Sequence, residues 1–299
     1  MNLLPLNSDL SGRKGNYPLF KEINDCQIYY EIHGNPTGET IFFIHGAPGL
    51  GDCKNDVKAF SSLRDQYQLI FMDMRGSGRS EDKPPYTHGQ WTADIDAFRE
   101  SLGLEKIHIL GGSYGGYLAL EYVLAYPQRV ISVMLRDTAA NNKYNDDSVR
   151  RAVDANIPNL DIDMLERLFD GRMASNEELK KIFTDIQPLY TVVVDEEKIK
   201  KRMEEIYYHF ETHNYAFSTN KKTFDIVDRL GEIKVPVLIT VGIHDWITPV
   251  ACSDELAAGI PNNTYIKYQH SGHSPHLEEN ELYLQNVRKF LQEVSLVIN

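Results

Sequence analysis

Three side chains that together support nucleophilic catalysis occur along this sequence in the order serine, aspartate, histidine: Ser113, Asp245 and His273. A serine hydroxyl stays protonated near neutral pH, so it becomes a nucleophile only beside a base that a carboxylate orients. In this hypothesis His273 removes the proton of Ser113. Asp245 holds the imidazole in one tautomer and stabilises its charged form.

The residues around Ser113 predict a sharp turn between a strand and a helix. Residues 107–110 are apolar and typical of a buried strand, and residues 117–125 are typical of a helix that Pro127 ends. The turn between them reads Gly-Gly-Ser-Tyr-Gly-Gly, where the glycines leave room for a strained serine backbone. A phosphate-binding loop is the alternative, but the spacing fits neither GxGxxG nor a P-loop. We therefore expect an exposed serine hydroxyl above the edge of a sheet.

Asp245 and His273 also follow predicted strands. Strands and helical segments alternate along much of the chain. The predicted strands cover residues 27–33, 41–44, 69–72, 107–110, 130–135, 235–241 and 265–268, the first of them at a sheet edge. Helical segments separate several of these strands, which indicates the α/β class with a doubly wound, mostly parallel sheet. The carboxyl ends of parallel strands meet at one edge, so the three side chains are expected to converge there.

One long segment interrupts this order. Residues 141–230 contain charged, helical stretches, at about 161–172 and 195–210, and no convincing strand; Ser175 to Glu178 offers a capping box for a further helix. We interpret the segment as a helical cap. The predicted core then consists of residues 1–140 and 231–299.

Several motifs carry a resemblance to known enzymes. A Gly-x-Ser-x-Gly turn after a strand, followed downstream by the acid and the histidine, resembles the α/β-hydrolase fold. More narrowly, this turn and the loops His-Gly-Ala-Pro-Gly at 45–49 and Asp-Met-Arg-Gly-Ser-Gly-Arg-Ser at 73–80 resemble the prolyl aminopeptidase (proline iminopeptidase) family. The resemblance implies a serine hydrolase that forms an acyl-enzyme and releases N-terminal residues, proline in particular, from short peptides.

The resemblance also implies roles for residues around the serine. The first loop of the family usually reads His-Gly-Gly-Pro-Gly, and here Ala47 replaces the second glycine while keeping its N–H group. The N–H groups of Ala47 and Tyr114 are therefore the predicted oxyanion hole. Members of the family often carry an arginine that contacts the substrate at the position of Arg136. The alternative role for Arg136 in this sequence is an ion pair with the adjacent Asp137.

Amine recognition in the family uses carboxylates, mostly from the cap. Glu204 and Glu205 are the candidates here, with surface helix residues as the alternative. Trp246 follows the predicted triad acid where some members carry a glutamate, and we include it as a candidate substrate contact. Because tryptophan does not bind an ammonium as a carboxylate does, a carboxylesterase or lactonase acting on small esters is the alternative function. A non-catalytic binding protein is least favoured, since no triad member is missing.

Several other residues have competing interpretations. Asp245 could cap the next helix, but Thr248 and Pro249 are better placed as its N-cap and first residue. The three histidines His270, His273 and His276 lie in a proline-containing loop with no preset metal geometry, so no metal or other cofactor is expected. Asp73, Arg75 and Arg79 are predicted to anchor their loop.

Composition limits the possible partners. The net charge is −12, which argues against nucleic acid and anionic membrane surfaces, so a small molecule or short peptide is the expected partner. The cysteines Cys26, Cys53 and Cys252 are widely spaced and odd in number, which indicates a reducing compartment. Residues 1–5 lack a basic start and no apolar run approaches the roughly 20 residues of a membrane span, so a cytoplasmic enzyme is expected. The oligomeric state is left open.

Overall fold

The computed structural model describes residues 19–298, built around one eight-stranded sheet. Residues 1–5, on which the expectation of a cytoplasmic enzyme partly rests, lie outside the described residues. The strands are β1 (Phe20–Ile23), β2 (Cys26–Gly34), β3 (Thr40–Ile44), β4 (Gln68–Met72), β5 (Ile107–Gly112), β6 (Val130–Arg136), β7 (Val237–Gly242) and β8 (Asn263–Tyr268). All seven predicted strands are confirmed within a few residues.

The strand order across the sheet is β1-β2-β4-β3-β5-β6-β7-β8. β1 pairs antiparallel with β2, and β2 pairs antiparallel with β4; the remaining neighbours are parallel. The prediction that residues 27–33 form an edge strand is wrong, because β1 lies outside them. β1 is only four residues long and largely exposed, so its sequence carries almost no apolar alternation.

Helices cover both faces of the sheet, as a doubly wound fold requires. The side chains of β3 alternate between two apolar clusters: Phe42 and Ile44 belong to one, and Ile41 and Phe43 to the other. Both faces are therefore buried, which explains why the parallel strands read as continuous apolar runs.

Each face of the sheet is covered by helices from both before β6 and after β7. The helices before β6 are α1 (Lys54–Phe60), α2 (His88–Ser101) and α3 (Tyr114–Ala125), and those after β7 are α10 (Val250–Gly259), α11 (Pro275–Glu278) and α12 (Asn280–Ile298). Helices α2, α3 and α10 pack on the face of Phe42, whereas α1 and α12 pack on the face of Phe43. Short 3₁₀ turns occur at Ser61–Asp65, Pro127–Arg129, Gln187–Tyr190 and Val227–Glu232.

Between β6 and β7 the described chain is helical. It contains α4 (Asn145–Asp154), α5 (Ile162–Asp170), α6 (Asn176–Asp185), α7 (Glu196–Glu204), α8 (Phe210–Tyr215), a π-helical turn (Ala216–Asn220) and α9 (Lys221–Thr223). We call residues 141–230 the cap segment; its boundaries as a separate unit stay a prediction. The helix predicted over 195–210 ends at Glu204, before a non-helical stretch that leads to α8.

Two further features concern the cysteines and the lengths of the helices. Cys26, Cys53 and Cys252 are free and buried. Among residues 19–298, no helix combines the length and the apolar character needed to cross a bilayer.

Gly115 lies where α3 packs closely against the end of β3, and this packing leads to a testable prediction. A Cβ on Gly115 would lie 2.3 Å from the carbonyl oxygen of Ile44 and 2.5 Å from that of His45, so Gly115→Ala must push the helix away from the strand. We expect a loss of about 3 kcal/mol in the free energy of unfolding, measured by urea denaturation.

Gly89→Ala is the matched control, because a Cβ there has no atom within 4 Å. Gly89 lies in the first turn of α2, where alanine should stabilise by about 0.5 kcal/mol. Equal stabilities for the two variants would contradict the packing argument.

Candidate active site

The backbone at Ser113 has the strained conformation that its sequence predicts. Its φ is 54° and its ψ is −123°, between the end of β5 and the start of α3. The neighbouring chain holds this geometry from both sides: the Ser113 N–H donates to the Arg136 carbonyl at 2.8 Å, and the Thr138 hydroxyl donates to the Ser113 carbonyl at 2.7 Å. Strain of this kind persists only where the surroundings fix it, and it clusters at functional sites.

Asp245 and His273 are brought into direct contact from the ends of β7 and β8. The His273 Nδ1 donates to Asp245 Oδ2 at 2.8 Å, so Nε2 is left as the unprotonated nitrogen. Burial alone would lower the pKa of His273, but the charge of Asp245 and this hydrogen bond outweigh burial and raise the pKa above its ordinary value. His273 and Ser113 both line the same cavity.

The carboxylate of Asp245 is fixed by two residues that follow it in the same loop, Ile247 and Thr248. Its Oδ1 accepts from the N–H groups of Ile247 and Thr248 at 2.9 and 3.1 Å, and its Oδ2 accepts from the Thr248 hydroxyl at 2.7 Å. The prediction that Thr248 caps the following helix is therefore wrong. Helix α10 begins at Val250 with Pro249 in the N-cap position.

The predicted oxyanion loop lies directly beside Ser113. A Cβ on Gly46 would lie 3.6 Å from the Cβ of Ser113. His45 fixes the loop, because its Nε2 accepts from the Met74 N–H at 2.9 Å and its Nδ1 lies 2.8 Å from the Gly46 carbonyl. Ala47 and Tyr114 line the cavity next to Ser113. Their N–H groups as oxyanion-hole donors stay a prediction.

The cap segment holds the far end of this loop. Gly49, with a φ of 74°, accepts at its carbonyl from the His209 N–H at 2.9 Å. Its own N–H donates to the Ser77 hydroxyl at 2.9 Å. His209 also reaches the core through Nε2, which lies 3.0 Å from the Gly78 carbonyl. The oxyanion loop is thus tied to both the core and the cap segment.

Two cavities open beside Ser113 and share part of their walls. The shared wall consists of Ala47, Leu50, Ser113, Phe183 and Tyr190. We call one cavity the polar lobe, and it carries Asp52, Asp56, Arg136, Gln187, Arg202 and His276. We call the other the aromatic lobe, and it carries Tyr117, Leu168, Phe169, His213, Phe217 and Lys221.

The carboxylates of the polar lobe already face cations. Arg136 lies 3.3 Å from Asp56 and 2.9 Å from Nδ1 of His276, so its partner is Asp56 and not the adjacent Asp137. Asp52 lies 3.2 Å from the ammonium of Lys54. Burial raises the pKa of Asp56, and the charge of Arg136 opposes that rise.

Arg202 gives the polar lobe an additional positive charge. Among the described residues it has no carboxylate partner, and its guanidinium donates to the amide oxygen of Gln187. Burial lowers its pKa. The polar lobe thus offers a bound substrate the guanidinium of Arg202 and also Oδ2 of Asp52, which lies near Lys54 but has no hydrogen-bond partner among the described residues.

Three of the predicted substrate contacts do not reach the cavities. The Glu204 side chain is 61% exposed and pairs with Lys180 at 2.8 Å, while Glu205 is exposed on the outer side of the cap segment. Trp246 packs edge-on behind Tyr190, with ring centres 5.6 Å apart. Among the described residues, neither lobe has any of these three in its lining. Helical spacing alone did not reveal that Glu204, the last residue of α7, and Glu205, which follows it, are exposed to solvent.

The sequence did not identify Asp137 as part of this site. Asp137 is fully buried at the end of β6, with a φ of 48°, and its Oδ1 accepts from the Gly242 N–H at 3.0 Å. Its Oδ2 has no hydrogen-bond partner among the described residues. Burial, followed by the charge of Asp245, raises the pKa of Asp137 to about 8.

Asp137, Asp245 and His273 also have the spacing of a small metal site, with donor atoms within 4.8 Å of one another. Two of the three groups, Asp245 and His273, are joined by their own hydrogen bond. His270 is exposed and His276 contacts Arg136, so the three loop histidines do not converge.

The loop residues predicted as anchors form buried ion pairs. Arg79 binds Asp73 at 2.8 Å, and Arg75 binds Asp94 on α2 at 2.7 Å. Burial would raise the pKa of Asp73, but the hydrogen bond from Arg79 lowers it below its ordinary value. These pairs hold the loop that carries Met74 against the oxyanion loop.

The buried carboxyl of Asp137 predicts a pH dependence of stability. Because its folded pKa lies near 8, above the ordinary 3.8, its stabilising effect is complete below about pH 4 and is lost as the pH rises toward 8. Asp137→Asn keeps the acceptor for Gly242 and removes the proton. We expect the stability of the wild type to fall relative to this variant by up to about 1.4 kcal/mol per pH unit between pH 5 and 8.

Urea denaturation of both proteins at pH 5, 6, 7 and 8 measures this difference. The exposed Asp228 supplies the control, and Asp228→Asn should follow the wild type at every pH. Parallel curves for the wild type and Asp137→Asn would contradict the assignment.

The similarity of this chain to known proteins agrees with the observed fold and extends over nearly its whole length. The family described as alpha/beta hydrolase fold matches residues 39–280. The chain is 33% identical over 278 residues to proline iminopeptidase PfmaB of Pestalotiopsis fici, covering 92% of this chain and 99% of that protein. It is 28% identical over 286 residues to the proline iminopeptidase of Lactobacillus crispatus, covering 89% and 95%.

Solved structures share the same fold at lower identity. The meta-cleavage product hydrolase CumD of Pseudomonas fluorescens superposes with a TM-score of 0.74 at 20% identity, covering 92% of this chain and 97% of that one. The enol-lactonase of Burkholderia xenovorans also gives a TM-score of 0.74, at 22% identity, covering 92% and 100%. The chain belongs to the alpha/beta hydrolase fold family and is a hydrolase that resembles the prolyl aminopeptidases.

Proposed function

We propose that this hydrolase works by acyl transfer to Ser113, with His273 as base and acid and Asp245 as the carboxylate that orients it. The observation that carries the proposal is the 2.8 Å hydrogen bond between His273 and Asp245, beside the cavity that Ser113 also lines. This bond leaves Nε2 of His273 ready to accept a proton. The strained turn at Ser113 adds support, because it exposes the hydroxyl at the start of a helix.

The reaction has two halves. Ser113 Oγ bonds to the substrate carbonyl carbon as His273 takes its proton, and the N–H groups of Ala47 and Tyr114 donate to the resulting oxyanion. His273 then gives the proton to the leaving group, whose bond to the carbonyl carbon breaks. Water attacks the acyl-enzyme, passes a proton to His273, and releases the acid as Ser113 regains its hydrogen.

Replacement of the proposed nucleophile tests this reaction. Ser113→Ala should lower kcat/KM on any cleaved substrate by about 10⁶, because the members of a triad act as a unit. It should also abolish labelling by a fluorophosphonate probe. Ser218 is exposed in the cap segment, and Ser218→Ala should leave both readouts unchanged. Labelling that survives Ser113→Ala would refute the assignment of the nucleophile.

Short peptides with an N-terminal proline are the first candidate substrates. Two relatives that this chain matches over most of their length are named proline iminopeptidases. Proline has a compact apolar ring, which suits walls such as Tyr117, Phe169 and Phe217. The ammonium of such a substrate needs a carboxylate, and Asp52 and Asp56 are the carboxylates in the lining of the polar lobe.

Small esters or lactones are the second candidate, and the charges of the cavities favour them. Asp52 and Asp56 each face a cation, and Arg202 adds a positive charge to the polar lobe. A cationic substrate loses affinity beside such groups, while a neutral or anionic acyl group does not. The acyl-transfer steps at Ser113 are the same for both candidates.

A direct comparison of substrates decides between them. Purified protein is assayed with proline p-nitroanilide and with p-nitrophenyl acetate, and Ser113→Ala serves as the blank for both. Turnover of the prolyl substrate that depends on Ser113 supports the peptidase. Turnover of the ester alone rules out the peptidase and supports the second candidate.

A further inference from the structure

Two neighbouring strands each place a buried aspartate beside His273. Asp137 directly follows Arg136, the last residue of β6, and Asp245 follows the end of β7 in the loop after Gly242. A carboxylate oxygen of each aspartate and a ring nitrogen of His273 all lie within 4.8 Å of one another. The proposed reaction uses only Asp245, so the second carboxyl group has no assigned role.

The position of Asp137 is fixed from β7. Its N–H donates to the Thr240 carbonyl at 2.9 Å, and its Oδ1 accepts from the Gly242 N–H at 3.0 Å. These bonds hold Asp137 against the strand that leads to Asp245. Its Oδ2 is buried and has no hydrogen-bond partner within residues 19–298. Buried polar atoms are seldom left unpaired, so this oxygen requires an explanation.

His273 carries a hydrogen that this oxygen can accept. The Nδ1 of His273 donates to Oδ2 of Asp245 at 2.8 Å. Because Asp137 lies so close to the same pair, a small rotation of the imidazole transfers the hydrogen bond from one carboxylate to the other. Either bond keeps the hydrogen on Nδ1 and leaves Nε2 as the unprotonated nitrogen.

We propose that Asp137 is a second positioning residue for His273, and that its Oδ2 accepts the Nδ1 hydrogen when Asp245 does not. The inference rests on the proposed acyl-transfer reaction, in which His273 is the base. The imidazolium that forms during acyl transfer then keeps a neighbouring carboxylate even without Asp245. Loss of Asp245 alone leaves part of the activity, whereas loss of both aspartates removes this part as well.

The charges around Asp137 determine when it takes this role. Burial, followed by the charge of Asp245, holds the pKa of Asp137 at about 8, so its carboxyl is mostly protonated at neutral pH. Removing the charge of Asp245 lowers this pKa, and more of Asp137 is then ionised at a given pH.

The other ionisable groups that act on Asp137 come from three further places. His273 and Arg136 favour its ionised form. Tyr268 of β8 and Tyr283 of α12 also lie near it, but burial raises the pKa of both tyrosines and keeps them neutral in the experiments below. Ionisation of Asp137 is therefore the change that the pH dependence should report.

A double-mutant cycle tests this role. We measure kcat/KM with p-nitrophenyl acetate at pH 8.5 for the wild type, Asp137→Asn, Asp245→Asn and the double variant, with Ser113→Ala as the blank. Because loss of the only orienting carboxylate costs about 10⁴ in turnover, Asp245→Asn should cost about 10² and the double variant about 10⁴. In the wild type, where Asp245 holds Nδ1, Asp137→Asn should cost less than about 5-fold.

The pH profile separates positioning from a purely structural role. The ratio of kcat/KM for Asp245→Asn to that for the double variant should rise with pH as Asp137 loses its proton. Asp228 is exposed and supplies the control, so Asp228→Asn added to Asp245→Asn should change nothing. A ratio that stays constant with pH, or equal effects of Asp137→Asn in both backgrounds, would overturn the inference.

A spectroscopic measurement distinguishes this inference from the proposed reaction. The Nδ1 hydrogen of His273 in a bond to a carboxylate gives a far-downfield proton NMR signal, which isotope-labelled histidine identifies. The signal should survive Asp245→Asn at pH 8.5 and disappear in the double variant. This result without ester turnover by the wild type would refute the reaction and keep the role of Asp137. Turnover by the wild type with loss of the signal in Asp245→Asn would keep the reaction and refute the role.

Discussion

The sharp turn at Ser113 is the constraint on which the rest of the site depends. The serine keeps a positive φ because Arg136 at the end of β6 bonds to its N–H and Thr138, just after β6, bonds to its carbonyl, so the turn is held by a neighbouring strand. The same turn brings α3 against β3 so closely that position 115 has no space for a side chain. A departure at either place would move the hydroxyl away from the loop that faces it. The geometry of the site is therefore a property of the packed sheet.

Much of this arrangement follows from the order of residues along the chain. Parallel strands end at one edge, so Ser113, Asp245 and His273 could be placed together once the strands around them were recognised. β1 escaped recognition because a short exposed strand has little apolar pattern. Thr248 was assigned to a helix because serine and threonine before a proline usually cap one, whereas here its hydroxyl binds Asp245.

Other parts of the site depend on contacts between distant segments, which spacing does not encode. Asp137 is adjacent to Arg136 in the sequence, yet the strand directs the two side chains to different partners. Glu204 ends α7, a helix with many charged residues, and Glu205 follows it, so the orientation of both side chains is set only when α7 packs. The burial of Lys221 among aromatic rings also depends on packing between segments, which its position in the sequence does not indicate.

If Ala47 donates to the oxyanion as proposed, the bond between His209 and the Gly49 carbonyl would give the cap segment a role in rate as well as in access. The loop that carries Ala47 ends at this bond, so a displacement that widens the entrance also releases one anchor of the loop. An oversized substrate would therefore enter a site whose proposed donors have lost their alignment. Discrimination by size would then appear as slow turnover of bulky compounds and not as their exclusion.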